Sequence, residues 1–125
     1  MIRAAPTPQP PLVAATPSRY LPKRPSVMLF TDLNLPAPLA QAVRDAAYVD
    51  MTPVQTATLP TILAGGDVVA QAPTGTGKTA AFALGLLAAL APDSLHLQGL
   101  VLCPTRELAD QISREIRRLA RAMPN

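Results

Sequence analysis

Residues 72–79 read Ala72-Pro73-Thr74-Gly75-Thr76-Gly77-Lys78-Thr79, a glycine-containing stretch that lies between two apolar runs. The run at 67–71 is short and contains β-branched residues, which predicts a buried strand. The run at 80–90 is rich in Ala and Leu, which predicts a buried helix. A strand, a glycine-rich turn and a helix in this order are the context of a phosphate-binding loop.

The residue types at 75–79 suit the binding of a phosphate chain. Gly75 and Gly77 allow a tight turn in which successive backbone N–H groups converge on phosphate oxygens, and the following helix adds its own unpaired donors. Lys78 is predicted to neutralise the phosphates, and the Thr79 hydroxyl is predicted to hold Mg²⁺. The stretch departs from the pattern G-x-x-x-x-G-K followed by Ser or Thr at its first position, Ala72. The alternative is an ordinary glycine-rich turn with an exposed lysine.

The composition limits the chain to one domain at most. It has 125 residues, of which 49% are hydrophobic, 3% are aromatic and none is Trp, so a core must be built from Ala, Leu, Val and Ile. The net charge is +3, with four basic and no acidic residues in 1–28 and five arginines against three acids in 105–125. These basic ends are compatible with nucleic-acid binding and equally with solvated surface charge.

The single cysteine, Cys103, excludes an intrachain disulfide and is typical of a reducing compartment. It lies in an apolar run and is expected to be a small core residue. No segment is long and apolar enough for a membrane span, and the N-terminus lacks the apolar region of a secretory signal. We therefore expect a soluble, cytoplasmic protein with no membrane partner. A transit peptide is left open, although the prolines disfavour the amphipathic helix that such peptides form.

Residues 1–27 are predicted to be a disordered, basic, proline-rich tail. Seven prolines between Pro6 and Pro25 prevent a persistent helix or central strand. The tail is interpreted as a tether for RNA or a partner, or as an inert extension. The folded part is predicted to occupy residues 28–125.

Four helices and two strands are predicted in this folded part. Apolar residues at helical spacing predict a helix over about 38–48, and a Thr-Pro pair predicts a second helix that starts after Thr52 and ends before a Gly-Gly pair. The apolar run 99–103 predicts a second buried strand, and a final helix follows Pro104. Strand, helix, strand and helix in this order imply an α/β fold with parallel strands and with the phosphate loop at the carboxyl end of the first strand.

Three stretches together resemble the amino-terminal RecA-like domain of DEAD-box ATP-dependent RNA helicases. Residues 72–79 are similar to motif I of that family, including its alanine at the first position. Motif Ia is matched by a run of six residues and one further position, Pro104-Thr105-Arg106-Glu107-Leu108-Ala109 and Gln111. The adenine-reading Q motif is matched at 47–55, with four residues in register: Tyr48, Thr52, Pro53 and Gln55. The resemblance covers about residues 30–122.

The Q motif match includes three departures from the family pattern. Ala47 replaces the usual glycine, Met51 a proline and Val54 an isoleucine. Phe30 stands where the family has an isolated upstream aromatic residue.

The resemblance implies a partial RecA-like P-loop domain that binds ATP and Mg²⁺ and contacts RNA. The implied ATP-binding residues are Phe30, Tyr48, Gln55 and residues 72–79, with Thr79 as the magnesium residue. The implied RNA-binding residues are Pro104, Thr105, Arg106 and Glu107.

Physical reasons support these implied roles, and each has an alternative. The Gln55 amide is able to accept from adenine N6–H₂ and donate to N7, which distinguishes adenine from guanine; the alternative is a solvated helix residue. Phe30 is interpreted as a base-stacking residue or as a core aromatic. Four later arginines are interpreted as a solvated helix face rather than a second RNA site: Arg114, Arg117, Arg118 and Arg121.

Hydrolysis in the family that this chain resembles relies on an Asp-Glu-Ala-Asp sequence and on arginines of a second RecA-like domain. The 125 residues contain no Asp-Glu-Ala-Asp sequence. We therefore expect the N-terminal part of the ATP-binding domain, truncated before that motif and with no catalytic residue of its own. The implied parent reaction is ATP hydrolysis coupled to RNA duplex unwinding. The alternative is a non-catalytic nucleotide- or RNA-binding fragment.

Overall fold

The computed structural model of the chain describes residues 28–124. Within this range the chain forms four α-helices, α1 (Ala37–Asp45), α2 (Pro53–Leu63), α3 (Lys78–Ala89) and α4 (Arg106–Leu119), and two 3₁₀ turns, Phe30–Asp32 and Ala120–Ala122. All four helices were predicted from the sequence, and the predicted ends differ from the observed ones by at most three residues. The predicted tail at 1–27 lies outside the described residues.

Helices α2 and α4 each begin where the local sequence favours a start. Thr52 caps α2, where its side chain accepts from the Gln55 N–H while the Gln55 side chain accepts from the Thr52 N–H, and Pro53 occupies the first helical position. Thr105 caps α4 by accepting from the Leu108 N–H at 3.3 Å. These capping bonds satisfy donors that a helix start leaves unpaired.

Helix α3 is central to the helical packing and contacts both α2 and α4. Each helix contributes one of the largest fully buried side chains: Leu39, Leu59, Leu84 and Leu119. Gly85 permits the close approach of α3 to α2, because a Cβ at this position would collide with the Ile62 side chain. The core is therefore aliphatic, as the composition predicted.

The two predicted strands, 67–71 and 99–103, are not confirmed. Neither run forms a β-ladder with another segment. Within residues 28–124 the β-pairing consists of one isolated antiparallel bridge between Leu29 and Asp50. Leu100 and Leu102 remain 72% and 85% exposed. A strand is stabilised by a hydrogen-bonded neighbour, and no described segment supplies one to either run. The parallel sheet expected from the sequence is thus absent from the described part of the chain.

None of the helices in the described range 28–124 has the length and apolar character needed to cross a membrane.

The turn after α1 contains a residue in an unfavourable conformation. Ala47 has φ +55°, whereas its neighbour Ala46 has φ −80°. The left-handed backbone conformation costs a residue with a Cβ about 1–2 kcal/mol. Ala47 is exposed, so its methyl group gains little from packing. Glycine, which the family pattern usually has at this position, adopts the left-handed conformation without this cost.

Replacing Ala47 with glycine is expected to stabilise the fold. Ala47→Gly should raise the free energy of unfolding by about 0.5–1 kcal/mol, because relief of the left-handed strain exceeds the added chain entropy of glycine. Ala46→Gly is the matched control and should lower it by about 0.5–1 kcal/mol. Urea denaturation of the three chains measures both effects. A loss of stability in Ala47→Gly would contradict this account of the turn.

Candidate functional site

The predicted phosphate loop forms a turn that leads directly into α3. Gly75 and Gly77 have φ +80° and +88°, and Gly77 is the residue that precedes the helix. No side chain caps the start of α3, so its first N–H groups are free to meet a ligand. The structure has the tight glycine turn and the helix start that the sequence predicts, and this is a general anion-binding arrangement.

Lys78 lies across this loop. Its ammonium group donates to the carbonyl oxygens of Ala72 and Pro73, the latter at 2.6 Å. The Thr76 hydroxyl donates to the same Pro73 oxygen at 2.8 Å. The positive charge is therefore held within the turn, where it can exchange carbonyl oxygens for the oxygens of a bound phosphate.

Two side chains from the start of α2 hold the loop. The Thr52 hydroxyl donates to the Thr76 carbonyl at 2.8 Å, and Gln55 Nε2 donates to the Gly77 carbonyl at 3.2 Å. In a planar trans peptide the C=O and the following N–H point in opposite directions. Drawing these two carbonyls towards α2 therefore turns the N–H groups of Gly77 and Lys78 to the opposite side of the loop.

This tethering role of Thr52 and Gln55 was not predicted. Sequence reasoning placed Gln55 near the nucleotide as a reader of the base, or alternatively in solvent. The structure places its side chain against the phosphate loop with only 4% of the residue exposed. Its oxygen and nitrogen each have a protein partner, Thr52 N–H and Gly77 C=O. The solvated alternative is wrong; base reading stays a prediction.

Phe30 is a core residue in this structure. It is 4% exposed and stacks on Tyr48, with ring centroids 5.5 Å apart and an interplanar angle of 24°. The arrangement favours the core interpretation of Phe30 over the base-stacking one, because Tyr48 already covers a face of the ring. An aromatic side chain gives the same sequence signal in either role.

Tyr48 forms a cluster with two residues of α4, Glu115 and Arg118. The Tyr48 hydroxyl donates to Glu115 Oε1 at 3.0 Å and accepts from Arg118, whose guanidinium carbon lies 5.2 Å from the Tyr48 ring centroid. Arg118 also holds both oxygens of Glu115, at 2.7 and 3.1 Å. Arg118 is exposed, with 41% of its side chain accessible, as predicted for a solvated face, but its contact with Tyr48 was not predicted.

The Tyr48 cluster changes the acidity of its members. The pKa of the Glu115 carboxyl lies below its ordinary 4.5, chiefly because Arg118 donates hydrogen bonds to it. Burial raises the pKa of the Tyr48 phenol above 10.0, and the hydrogen bond to Glu115 acts in the same direction. At neutral pH the cluster therefore contains a carboxylate, a neutral phenol and a guanidinium.

A cavity of about 810 Å³ connects the phosphate loop with this cluster. Its wall includes the loop residues Gly75, Gly77, Lys78 and Thr79, and also Tyr48. Neither Phe30 nor Gln55 forms part of this wall. The structure thus brings the loop and Tyr48 together around one space, while Gln55 supports the loop from outside it.

The predicted RNA-binding residues lie at the start of α4. Pro104, Thr105, Arg106 and Glu107 are all exposed, and Thr105 and Arg106 mark the point where extended chain becomes helix. The predicted position at a helix start is confirmed. These four residues do not line the cavity, whereas Leu108 and Gln111, further along α4, do.

No group of three or more His, Cys, Asp or Glu side chains suited to a metal ion occurs within residues 28–124. Thr79 is half-buried on the cavity wall in the first turn of α3. A hydroxyl beside a phosphate site suits a magnesium ion that takes most of its ligands from phosphates and water.

The comparison with known families agrees with this geometry. The family model described as DEAD/DEAH box helicase matches residues 52–124. The chain is 57% identical over 97 residues to the ATP-dependent RNA helicase DbpA of Escherichia coli strain K12, covering 77% of this chain and 21% of that protein. It is 45% identical over 87 residues to the DEAD-box ATP-dependent RNA helicase CshA of Bacillus subtilis strain 168, covering 70% and 18%.

Solved structures show the same relationship. A DEAD box protein from the hyperthermophile Methanococcus jannaschii matches with a TM-score of 0.73 and 36% identity, covering 78% of this chain and 27% of that chain. Dbp5 of S. cerevisiae, bound to RNA and ADP BeF3, matches with a TM-score of 0.72 and 30% identity, covering 76% and 25%.

The chain belongs to the DEAD/DEAH box helicase family, and its fold is a partial RecA-like fold. It spans about a fifth of the length of the relatives named above, 21% and 18%.

The contact between Gly77 and Gln55 predicts different effects for the two loop glycines. Both glycines have a left-handed backbone conformation. A Cβ at Gly77 would collide with Gln55 Nε2, whereas a Cβ at Gly75 would meet nothing within 4 Å. Gly75→Ala should lower the free energy of unfolding by about 1–2 kcal/mol from backbone strain alone. Gly77→Ala should cost about 1–3 kcal/mol more, because Gln55 loses its bond to the loop.

Urea denaturation of both glycine variants measures this difference. The extra loss in Gly77→Ala should disappear when Gln55→Ala is present in both the reference chain and the variant, because the colliding amide is then absent. Equal losses for the two glycine variants would show that Gln55 does not contact the loop in solution.

The lowered pKa of Glu115 predicts a pH-dependent contribution to stability. A carboxyl whose folded pKa is depressed stabilises the fold above its unfolded pKa, 4.5, and that contribution is lost as the pH falls through the folded value. The Arg118 side chain is 41% exposed, so solvent screens the pair and the expected contribution is about 0.5–1 kcal/mol.

Glu115→Gln should therefore flatten the fall in unfolding free energy below pH 4.5, measured by urea denaturation across the acid range. The control is Asp110→Asn, on an exposed position of the same helix, which should keep the slope of the parent chain. Identical acid slopes in the parent chain and in Glu115→Gln would rule out the Arg118 contact as the cause.

Proposed function

We propose that this chain is the ATP-binding and RNA-contacting part of a DEAD-box ATP-dependent RNA helicase, in which ATP hydrolysis drives local unwinding of an RNA duplex. The observation that carries the proposal is the geometry of the phosphate loop. Gly75 and Gly77 have positive φ angles, no side chain caps the start of α3, and the Lys78 ammonium group lies against the loop carbonyls. The proposal is supported by relatives that are named ATP-dependent RNA helicases.

The proposed ligand of the loop is the phosphate chain of ATP with Mg²⁺. The N–H groups of Gly77, Lys78 and Thr79 would bind phosphate oxygens, and Lys78 would release its loop carbonyls to neutralise them. The Thr79 hydroxyl would bind Mg²⁺, which supplies charge neutralisation of the phosphates. The match to Dbp5 bound to ADP BeF3 supports a nucleotide at this site.

Adenine recognition is proposed for Gln55. Its amide already bonds to Thr52 and Gly77, but an amide nitrogen has two hydrogens and an amide oxygen has two lone pairs. One hydrogen and one lone pair of the amide are therefore left for the adenine edge, which would have to reach a residue that is 4% exposed and outside the cavity wall. Tyr48 would border the nucleotide from the cavity wall, whereas the burial of Phe30 supports a role in holding Tyr48.

RNA contact is proposed for Pro104, Thr105, Arg106 and Glu107. Unpaired N–H groups at a helix start and an exposed guanidinium are suited to a phosphate of the RNA backbone. Arg106 would supply the charge, and Glu107 would orient it. The match to Dbp5 bound to RNA supports RNA as the polymer.

The remaining proposals concern the organisation of the chain. We assign residues 1–27 to a basic proline-rich tail and residues 28–125 to the N-terminal part of a RecA-like ATP-binding domain, in which 67–71 and 99–103 would be parallel strands of its sheet. The single cysteine supports a reducing, cytoplasmic compartment.

A second candidate is a nucleotide- or RNA-binding fragment that does not hydrolyse ATP by itself. It is favoured for the 125 residues alone, because they contain no Asp-Glu-Ala-Asp sequence and, in the described range, no cluster of acidic metal ligands. RNA-stimulated ATP turnover separates the two: the parent helicase requires it, and the 125-residue chain is expected to lack it.

The nucleotide proposal is tested by titrating adenine and guanine nucleotides with Mg²⁺ against the 125-residue chain. Lys78→Ala should weaken binding of both nucleotides by about tenfold to a hundredfold, the scale of lost hydrogen bonds to a charged group. Arg121→Ala, an exposed residue beyond α4, should change neither affinity. Unchanged binding in Lys78→Ala would mean that the phosphate site is not formed.

Thr52→Ala is the matched control for base reading. Both Thr52→Ala and Gln55→Ala loosen the loop and should weaken both nucleotides, but only Gln55→Ala should reduce the preference for adenine over guanine, by roughly 1–3 kcal/mol. A preference that is the same in the two variants would remove Gln55 from base recognition.

A further inference from the structure

The Tyr48 cluster is made by residues that are far apart in the sequence. Tyr48 lies just before α2, whereas Glu115 and Arg118 lie one turn apart on α4. Arg118 binds both carboxylate oxygens of Glu115 and also the Tyr48 hydroxyl. A forked guanidinium contact of this kind defines a geometry as well as an energy.

A short path leads from Tyr48 to the phosphate loop. Thr52 is four residues further along the chain and donates to the Thr76 carbonyl at 2.8 Å. The intervening residues are held in one conformation, because Val49 accepts from the Phe30 N–H at 3.1 Å and Met51 donates to the Met28 carbonyl at 2.9 Å. The position of the Tyr48 ring therefore restricts where Thr52 begins α2.

Stability alone does not account for the cluster. An ion pair with a side chain that is 41% exposed contributes little to the unfolding free energy. The cluster also fixes the position of Tyr48, which borders the same cavity as Gly75, Gly77 and Lys78. Glu115 also lines that cavity.

We propose that Glu115 and Arg118 are positioning residues of the nucleotide site: they hold Tyr48, which places Thr52 and Gln55, which in turn orient the N–H groups of the phosphate loop. The inference rests on the proposed nucleotide-binding function. It assigns to α4 a role in nucleotide affinity in addition to the exposed residues at its start. Neither Glu115 nor Arg118 needs to touch the nucleotide.

The test is a double-variant cycle on the 125-residue chain, with a fluorescent ADP analogue and Mg²⁺ as the probe. Arg118→Ala should weaken binding about three- to tenfold, the range seen for residues that act through a packed network. Tyr48→Phe, which removes only the hydroxyl, should weaken it similarly. Because both remove the bond between the guanidinium and the hydroxyl, the double variant should lose less affinity than the two single losses together, since only the Arg118 contact with the ring is left to lose.

Two controls separate positioning from general stability. Leu39→Val alters the core at a fully buried position of α1 and should lower the unfolding temperature while leaving affinity unchanged below the transition. Arg121→Ala removes an exposed arginine from the 3₁₀ turn that follows α4, and it should change neither the unfolding temperature nor the affinity. Arg118→Lys retains the charge without the fork and should restore less than half of the lost affinity.

The inference is overturned if Arg118→Ala binds the probe as tightly as the parent chain, or if the losses in Arg118→Ala and Tyr48→Phe add. It is also overturned if Leu39→Val weakens binding as much as Arg118→Ala does at equal loss of stability. Absence of probe binding in the parent chain itself would instead refute the proposed nucleotide-binding function.

Discussion

The orientation of the phosphate loop depends on two hydrogen bonds that cross from α2 to loop carbonyls. Thr52 binds the Thr76 carbonyl and Gln55 binds the Gly77 carbonyl, so the adjacent N–H groups face the other way. A flexible glycine turn has many conformations of similar energy, and these bonds select one of them. The direction in which these N–H groups point is therefore a property of the pair formed by α2 and the loop.

The helical core supplies the support behind this arrangement. Helix α3 carries the loop at its start and is buried between α2 and α4, with Gly85 allowing close contact to α2. The loop thus extends from a packed helix and is tethered to a second one. In contrast, the extended runs at 67–71 and 99–103 have no strand partner among the described residues, and Val69 and Leu102 are 94% and 85% exposed. The phosphate loop is therefore held in place by the packing of the helices.

The helix starts at Thr52 and Thr105 and the left-handed glycines could be predicted, because each depends on residues within one or two turns of the chain. The strands could not be confirmed, because pairing needs a neighbour from elsewhere in the chain. Phe30 illustrates a further limit, since an aromatic residue is equally suited to a core and to a base. Arg118 was assigned to a solvated face because nothing in α4 indicates that Tyr48 lies opposite.

The amino-acid order alone predicts the family motifs, the four helices and the tight glycine turn that leads into Lys78 and Thr79, since these are local features. Tertiary structure alone decides that Gln55 faces the loop, that Phe30 is buried and that α4 holds Tyr48. The physical reason is that a hydrogen bond or stacking contact between distant segments depends on how helices pack, and packing is determined by the whole core at once.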